Sequence, residues 1–142
     1  MNICEWKLDD YTISADRARL DTDLIVEFLQ QRSYWARERS RAEIERSIEH
    51  SLVFGLYRGE RQIGFARVIT DYTIFAYVCD VFVLESERGK GLGKWLMRTM
   101  QTHPELQSVR RWVLTTQDAH EMYAHTGFVP LKNPERWMQI GL

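Results

Sequence analysis

Val81-Phe82-Val83-Leu84-Glu85-Ser86-Glu87-Arg88-Gly89-Lys90-Gly91-Leu92-Gly93-Lys94-Trp95-Leu96-Met97 is an apolar strand that runs into a charged, glycine-rich turn and then at once into a helix. The helix shows in the helical spacing of Leu92, Leu96, Met97 and Met100. Strand, loose turn and helix together suit a phosphate group. Gly89, Gly91 and Gly93 free the backbone to aim successive N–H groups at one point, and the helix dipole adds partial positive charge there. Arg88, Lys90 and Lys94 reinforce that field. The nucleotide templates fail on spacing: Gly89-x-Gly91-x-Gly93 is not G-x-G-x-x-G, and Lys94 is followed by Trp95 rather than the hydroxyl residue of a P-loop.

Outward from this stretch the chain alternates recognisable elements. Asp9-Asp10 interrupts a short β-like segment from Cys4 to Ser14, either as a hairpin turn or as a spacer before the first strand. Asp21 is placed to cap a helix beginning at Thr22, with Leu24, Ile25, Phe28 and Leu29 on its apolar face. Ser40 and Glu43 form a capping box for a second helix whose Ile44 and Ile48 lie one turn apart. Ser51 to Tyr57 and Gln62 to Asp71 read as a hairpin turning at Arg58-Gly59-Glu60, and Ile74 to Leu84 as the next strand. His103-Pro104 stops the central helix, Arg111 to Thr116 is a strand, and a helix from about Gln117 to Thr126 ends at Gly127. Phe128 to Leu131 and Trp137 to Ile140 are expected as short closing strands around Asn133-Pro134. The fold class expected is mixed α/β (α+β): a mostly antiparallel sheet flanked by helices, with a central β-α-β crossover that makes the strands around Val81 and Val113 parallel neighbours.

With 142 residues the chain is read as a single domain, residues 1–142. An apolar fraction of 44%, a charged fraction of 27% and a formal charge of −1 exclude a general nucleic-acid binder, so any positive patch is local. There is no membrane-spanning apolar run and no signal-peptide organisation, which makes the cytoplasm the expected location. Cys4 and Cys79 are read as free thiols. His120-Glu121 and His125 do not make a zinc helix, because five steps turn two side chains about 140° apart; no metal is expected.

Two motifs acting together narrow the ligand. Arg88-x-x-Gly91-x-Gly93 after Val81-Phe82-Val83 resembles the acyl-CoA signature of the GNAT superfamily of N-acetyltransferases, and Ala119-x-x-x-Tyr123-x-x-x-Gly127-Phe128 resembles that family's later helix. The resemblance implies that Arg88, Gly89, Lys90, Gly91, Leu92, Gly93 and Lys94 hold the pyrophosphate of acetyl-CoA as co-substrate. It implies that the strand ending at Val83 splays from the one around Leu114, freeing backbone groups for the pantetheine arm. The N–H of Phe82 or Val83, with Val81 on the same strand, would then polarise the acyl carbonyl. Tyr123 matches the family tyrosine beside the thioester sulfur, and a phenol of pKa about 10 is protonated at neutral pH. The family often carries an asparagine where this chain has Thr116; Thr115, Thr116 and Asp118 are the polar residues left to contact pantetheine or cap the helix.

An amine of pKa about 10.4 must lose a proton before attack. Asp80 is the first candidate base and His120 the second. Acceptor specificity is expected in Tyr34-Trp35, Arg67, Asp71, Tyr72, Phe75 and Tyr77, with Asp71 beside Trp35 and Tyr72 receiving a cationic amine. The function expected is transfer of acetyl from acetyl-CoA to a primary amine of a small molecule or peptide. The alternative is a non-catalytic acyl-CoA sensor of the same fold. No nucleic-acid or membrane partner is expected; a terminal strand around Trp137 would offer an edge for a homodimer.

Overall fold

In the computed structural model, which describes residues 3–142, Asp9-Asp10 is the turn of a hairpin: β1 (Glu5–Leu8) pairs antiparallel with β2 (Tyr11–Ser14). Asp9 takes φ +53°, a left-handed conformation that aspartate tolerates better than most residues. The sheet continues through β3 (Leu52–Arg58), β4 (Arg61–Thr70), β5 (Phe75–Val83) and β6 (Arg111–Val113), its six strands lying in sequence order. Every neighbouring pair is antiparallel except β5 and β6.

The helices begin where their caps are. Asp21 accepts from the Leu24 N–H at the start of α1 (Thr22–Glu27), which runs on into a wider π-type turn over Phe28–Arg32. Ser40 and Glu43 make both halves of the capping box on α2 (Arg41–Glu49). The central helix α3 (Leu92–Gln101) buries Leu92, Leu96, Met97 and Met100. From Gln62 to Val68, β4 is buried on both faces, so the sheet is covered on both sides at its middle. Ile25, Phe28 and Leu29 of the first helix join that core with Phe54, Phe65 and Phe82. Among the described residues no helix is long and apolar enough to cross a membrane.

The crossover from β5 through α3 to β6 is parallel, but its pairing is brief. Only Phe75, Ala76 and Tyr77 face Arg111, Trp112 and Val113; beyond them the two strands part. A bulge helps to open them: between the pairs Phe65↔Phe82 and Arg67↔Cys79, β5 carries an extra residue. Asp80 sits in that bulge at φ +54°. Bulges kink a strand and increase its twist, which re-aims the far half of β5.

The C-terminal segment differs from expectation. α4 is only His120–Ala124, although Gly127 does follow it at φ +101°. The closing strands expected at Phe128–Leu131 and Trp137–Ile140 do not form. Pro130 and Pro134 each lack a ladder donor, and Val129, Met138 and Ile140 stand exposed with no neighbouring strand to pair with. Trp137 instead packs its ring against Phe75 and beneath Arg111, so the edge strand on which pairing with a second copy was expected is absent.

Candidate active site

Where β5 leaves β6 a cleft of about 1120 Å³ opens, bounded by the far half of β5, the glycine turn, α4 and the segment after the first helix. Gly89 and Gly91 hold φ +82° and +79°, and Gly91 caps α3. These left-handed residues turn the chain into the helix with its first N–H groups facing outward, the arrangement that receives an anion. Nothing would meet a Cβ at Gly91, so a side chain there is opposed by backbone strain rather than by crowding. Gly91→Ala is expected to weaken acetyl-CoA affinity about tenfold, since left-handed backbone costs about 1–2 kcal/mol in a residue with a Cβ. Titration calorimetry checks this, and an unchanged affinity would show that the turn conformation is not used.

The cations of the turn divide. Lys94 lines the cleft. Arg88 also lines it, its Nε donating to the Val83 carbonyl at 2.9 Å. Lys90 does not: its ammonium donates to the buried carboxylate of Glu87 at 2.9 Å, and it is absent from the cleft wall. That bond, with burial opposing it, holds the Glu87 carboxyl below its usual range. The Lys90 side chain therefore braces the turn, and the cationic side chains of the turn that line the cleft are Arg88 and Lys94.

Strand alternation decides which peptide groups face the opening. The Leu84 N–H donates to Ile63 on β4, so Phe82, two residues earlier, also directs its peptide group to β4. Val81 and Val83 face the cleft in its place. Phe82 serves through its ring, stacked on Phe28 at 3.9 Å between centroids.

Tyr123 stands across from them on α4. Burial, then Tyr34 and Asp118, push its phenol up to about 12. Its ring lies edge-on to Phe128, and its hydroxyl makes no hydrogen bond to another described residue. Thr116 and Asp118 both line the cleft, Thr116 also accepting from the Ala119 N–H at 3.0 Å to shape the entry to α4. Tyr34 closes the cleft from the other side, its hydroxyl accepting from the Gln117 N–H at 3.0 Å.

Asp80 is at the centre of an ionic cluster. Its side chain is 1% exposed and accepts from Arg67 Nε at 2.6 Å, from one terminal nitrogen of Arg39 at 2.8 Å and from Trp35 Nε1 at 2.8 Å. Burial alone would raise its carboxyl; Arg67, Arg39 and Trp35 outweigh that and hold it below the ordinary range. A carboxylate so engaged is a poor proton acceptor. His120, the second candidate base, is exposed and off the cleft wall.

Of the expected acceptor residues Tyr34, Trp35 and Tyr77 line the cleft, while Arg67, Asp71, Tyr72 and Phe75 do not. Asp71 is used by the β4–β5 turn, its carboxylate accepting from the N–H groups of Thr73, Ile74 and Phe75. Those bonds hold its carboxyl below the usual range. Tyr72, at φ +63°, belongs to the same exposed turn. Arg37, Arg39 and Gln117 line the cleft unannounced by any motif.

An antiparallel sheet opened at one parallel crossover, with a glycine turn and a tyrosine facing the opening, defines an acyl-CoA transferase fold. Residues 3–128 match the profile of the Acetyltransferase (GNAT) family, and the chain belongs to it. A GNAT-family chain from Xanthomonas campestris pv. campestris is 45% identical, with 93% of each chain covered and a TM-score of 0.90. A Gibberella zeae protein bearing the name "Putative acetyltransferase" is 30% identical over 81% of this chain and 77% of its own. A Vibrio cholerae spermidine N-acetyltransferase, solved with CoA and spermine, shares the fold at 20% identity and a TM-score of 0.68, covering 86% of this chain and 82% of that one.

Proposed function

We propose that the protein transfers the acetyl group of acetyl-CoA to a primary amine by direct attack. The observation that carries this reading is the convergence of three features on one cleft: the unpaired edge of β5 at Val81 and Val83, the left-handed turn at Gly89 and Gly91, and the free hydroxyl of Tyr123. The family assignment and the CoA complex of the Vibrio cholerae fold-mate support the same ligand. Bound acetyl-CoA supplies a thioester, an acyl carbon open to attack joined to a sulfur that can leave.

Each part of the chain then has a task. The helix end with Arg88 and Lys94 holds the pyrophosphate. The Val83 N–H pairs with the amide-bearing arm, and the Val81 N–H donates to the acyl oxygen as negative charge grows there. Tyr123 donates a hydrogen bond to the departing sulfur. Arg39 and Arg67 around one saturated carboxylate leave net positive charge beside the acceptor, which disfavours an ammonium and favours the neutral amine. The amine's proton passes to water, and Asp80 positions the two arginines without accepting it.

Calorimetry and thiol release over a panel of amines test the reading. Micromolar acetyl-CoA binding with amine-dependent thiol release is expected. No binding at high micromolar ligand would overturn it, and binding with no release for any amine would favour the non-catalytic sensor.

A further inference from the structure

We propose that the acceptor amine also carries a carboxylate, as an amino acid does, and that Arg37 and Arg39 receive it. This deepens the N-acetyltransferase reading and rests on it. Beyond the thioester position the charges lining the cleft are unequal. Asp80 is the one carboxylate there among the described residues, and with its side chain 1% exposed it is closed to a ligand and shared by two arginines. Asp118, an exposed carboxylate before α4, lies near Tyr123 and Lys94, and Glu87 is taken up by Lys90 and Arg58. Arg32 is compensated by Glu27 and Glu85. Arg37 has no acidic partner among the described residues, and Arg39 has only its share of Asp80, which Arg67 also holds.

Their geometry suits an anion. Arg37 Nε donates to the Ser33 carbonyl at 2.7 Å, which fixes the guanidinium while leaving both terminal nitrogens without a partner among the described residues. Arg39 spends one terminal nitrogen on Asp80 and keeps the other. Both line the cleft with Tyr34, Trp35 and Tyr77, so cationic forks and aromatic walls share one space. A guanidinium fork matches a carboxylate in shape and charge, and the aromatic walls suit an apolar side chain. An acceptor carrying only ammonium groups would meet two guanidinium groups on this wall and, at Asp80, a carboxylate closed to it.

The test measures kcat/KM for the standard amino acids, for the amine each would give on losing its carboxylate, and for spermidine, using thiol release by the intact protein. Preferred amino acids are expected to exceed their decarboxylated counterparts by about tenfold or more, chiefly through KM, the size a charge-assisted contact supports. Arg37→Glu is expected to abolish that ratio or invert it toward spermidine, with acetyl-CoA affinity by calorimetry showing that the variant is folded. Equal or better use of the decarboxylated amines or spermidine by the unmodified protein would overturn the inference while leaving the N-acetyltransferase reading intact. Acetyl-CoA binding without thiol release for any amine would overturn both.

Discussion

Tyr123→Phe is expected to lower kcat about 10²-fold, at the lower end of what a positioned acid contributes, while leaving the dissociation constant of acetyl-CoA within about twofold of its original value. The loss falls on kcat because the hydroxyl has little to do before the C–S bond lengthens and charge collects on sulfur. The phenyl ring keeps the edge contact with Phe128, so the variant should fold as the parent does. The phenol, pushed up to about 12, is a far weaker acid than an alkyl thiol of pKa about 8.5, so hydrogen-bond donation is favoured over complete proton transfer. A raised phenol pKa keeps the donor form present below about 12, so kcat/KM should rise with pH as the acceptor amine becomes neutral and show no falling limb from Tyr123 up to about pH 10. A kcat unchanged by the substitution would remove Tyr123 from the chemistry. A falling limb near pH 9 that disappears in the Phe variant would instead show a phenol of ordinary or lowered pKa.

What could be read from the sequence was what local chemistry writes into adjacent residues. The Asp21 cap, the Ser40–Glu43 box and the left-handed glycines each depend on neighbours within a few positions. The acceptor side is written differently. Arg39 meets Asp80 across 41 residues, and Tyr34 meets Gln117 across 83. Neither pairing has a spacing to recognise. One signal was present: Arg67 interrupts the apolar run Ile63 to Ile69 with a charge that must be paired when buried, and Asp80 is the acid of the facing strand. The misplaced closing strands have a similar origin, because Val129 and Ile140 look like strand residues until the structure shows no partner for their backbone.

Asp80→Asn is expected to cost about 3–5 kcal/mol of folding stability, the range found when one partner of a buried ion pair is removed. Asparagine keeps the shape but not the charge, so Arg67, 7% exposed, would remain inside with Ser51 Oγ as its remaining side-chain partner. The loss should depend on pH with a defined sign. Asp80 titrates lower in the folded chain than in the unfolded one, so its stabilising contribution is fully present above the unfolded value of about 3.9 and disappears as pH falls through the folded value beneath it. The gap between parent and variant in urea unfolding should thus be widest near neutrality and narrow in acid. A double-mutant cycle guards against a variant too unstable to measure. Arg67→Met with Asp80→Leu, compared with each of those single variants, removes the buried pair and leaves the less buried Arg39 without its partner; it should recover part of the stability, whereas additive losses would show that the pair is not coupled. Catalysis probes the same residue independently of stability. If Asp80 positions Arg39 and Trp35 rather than taking a proton, the folded fraction of Asp80→Asn should keep the shape of the parental pH–rate profile at reduced amplitude. Loss of its acidic limb would make Asp80 the base after all.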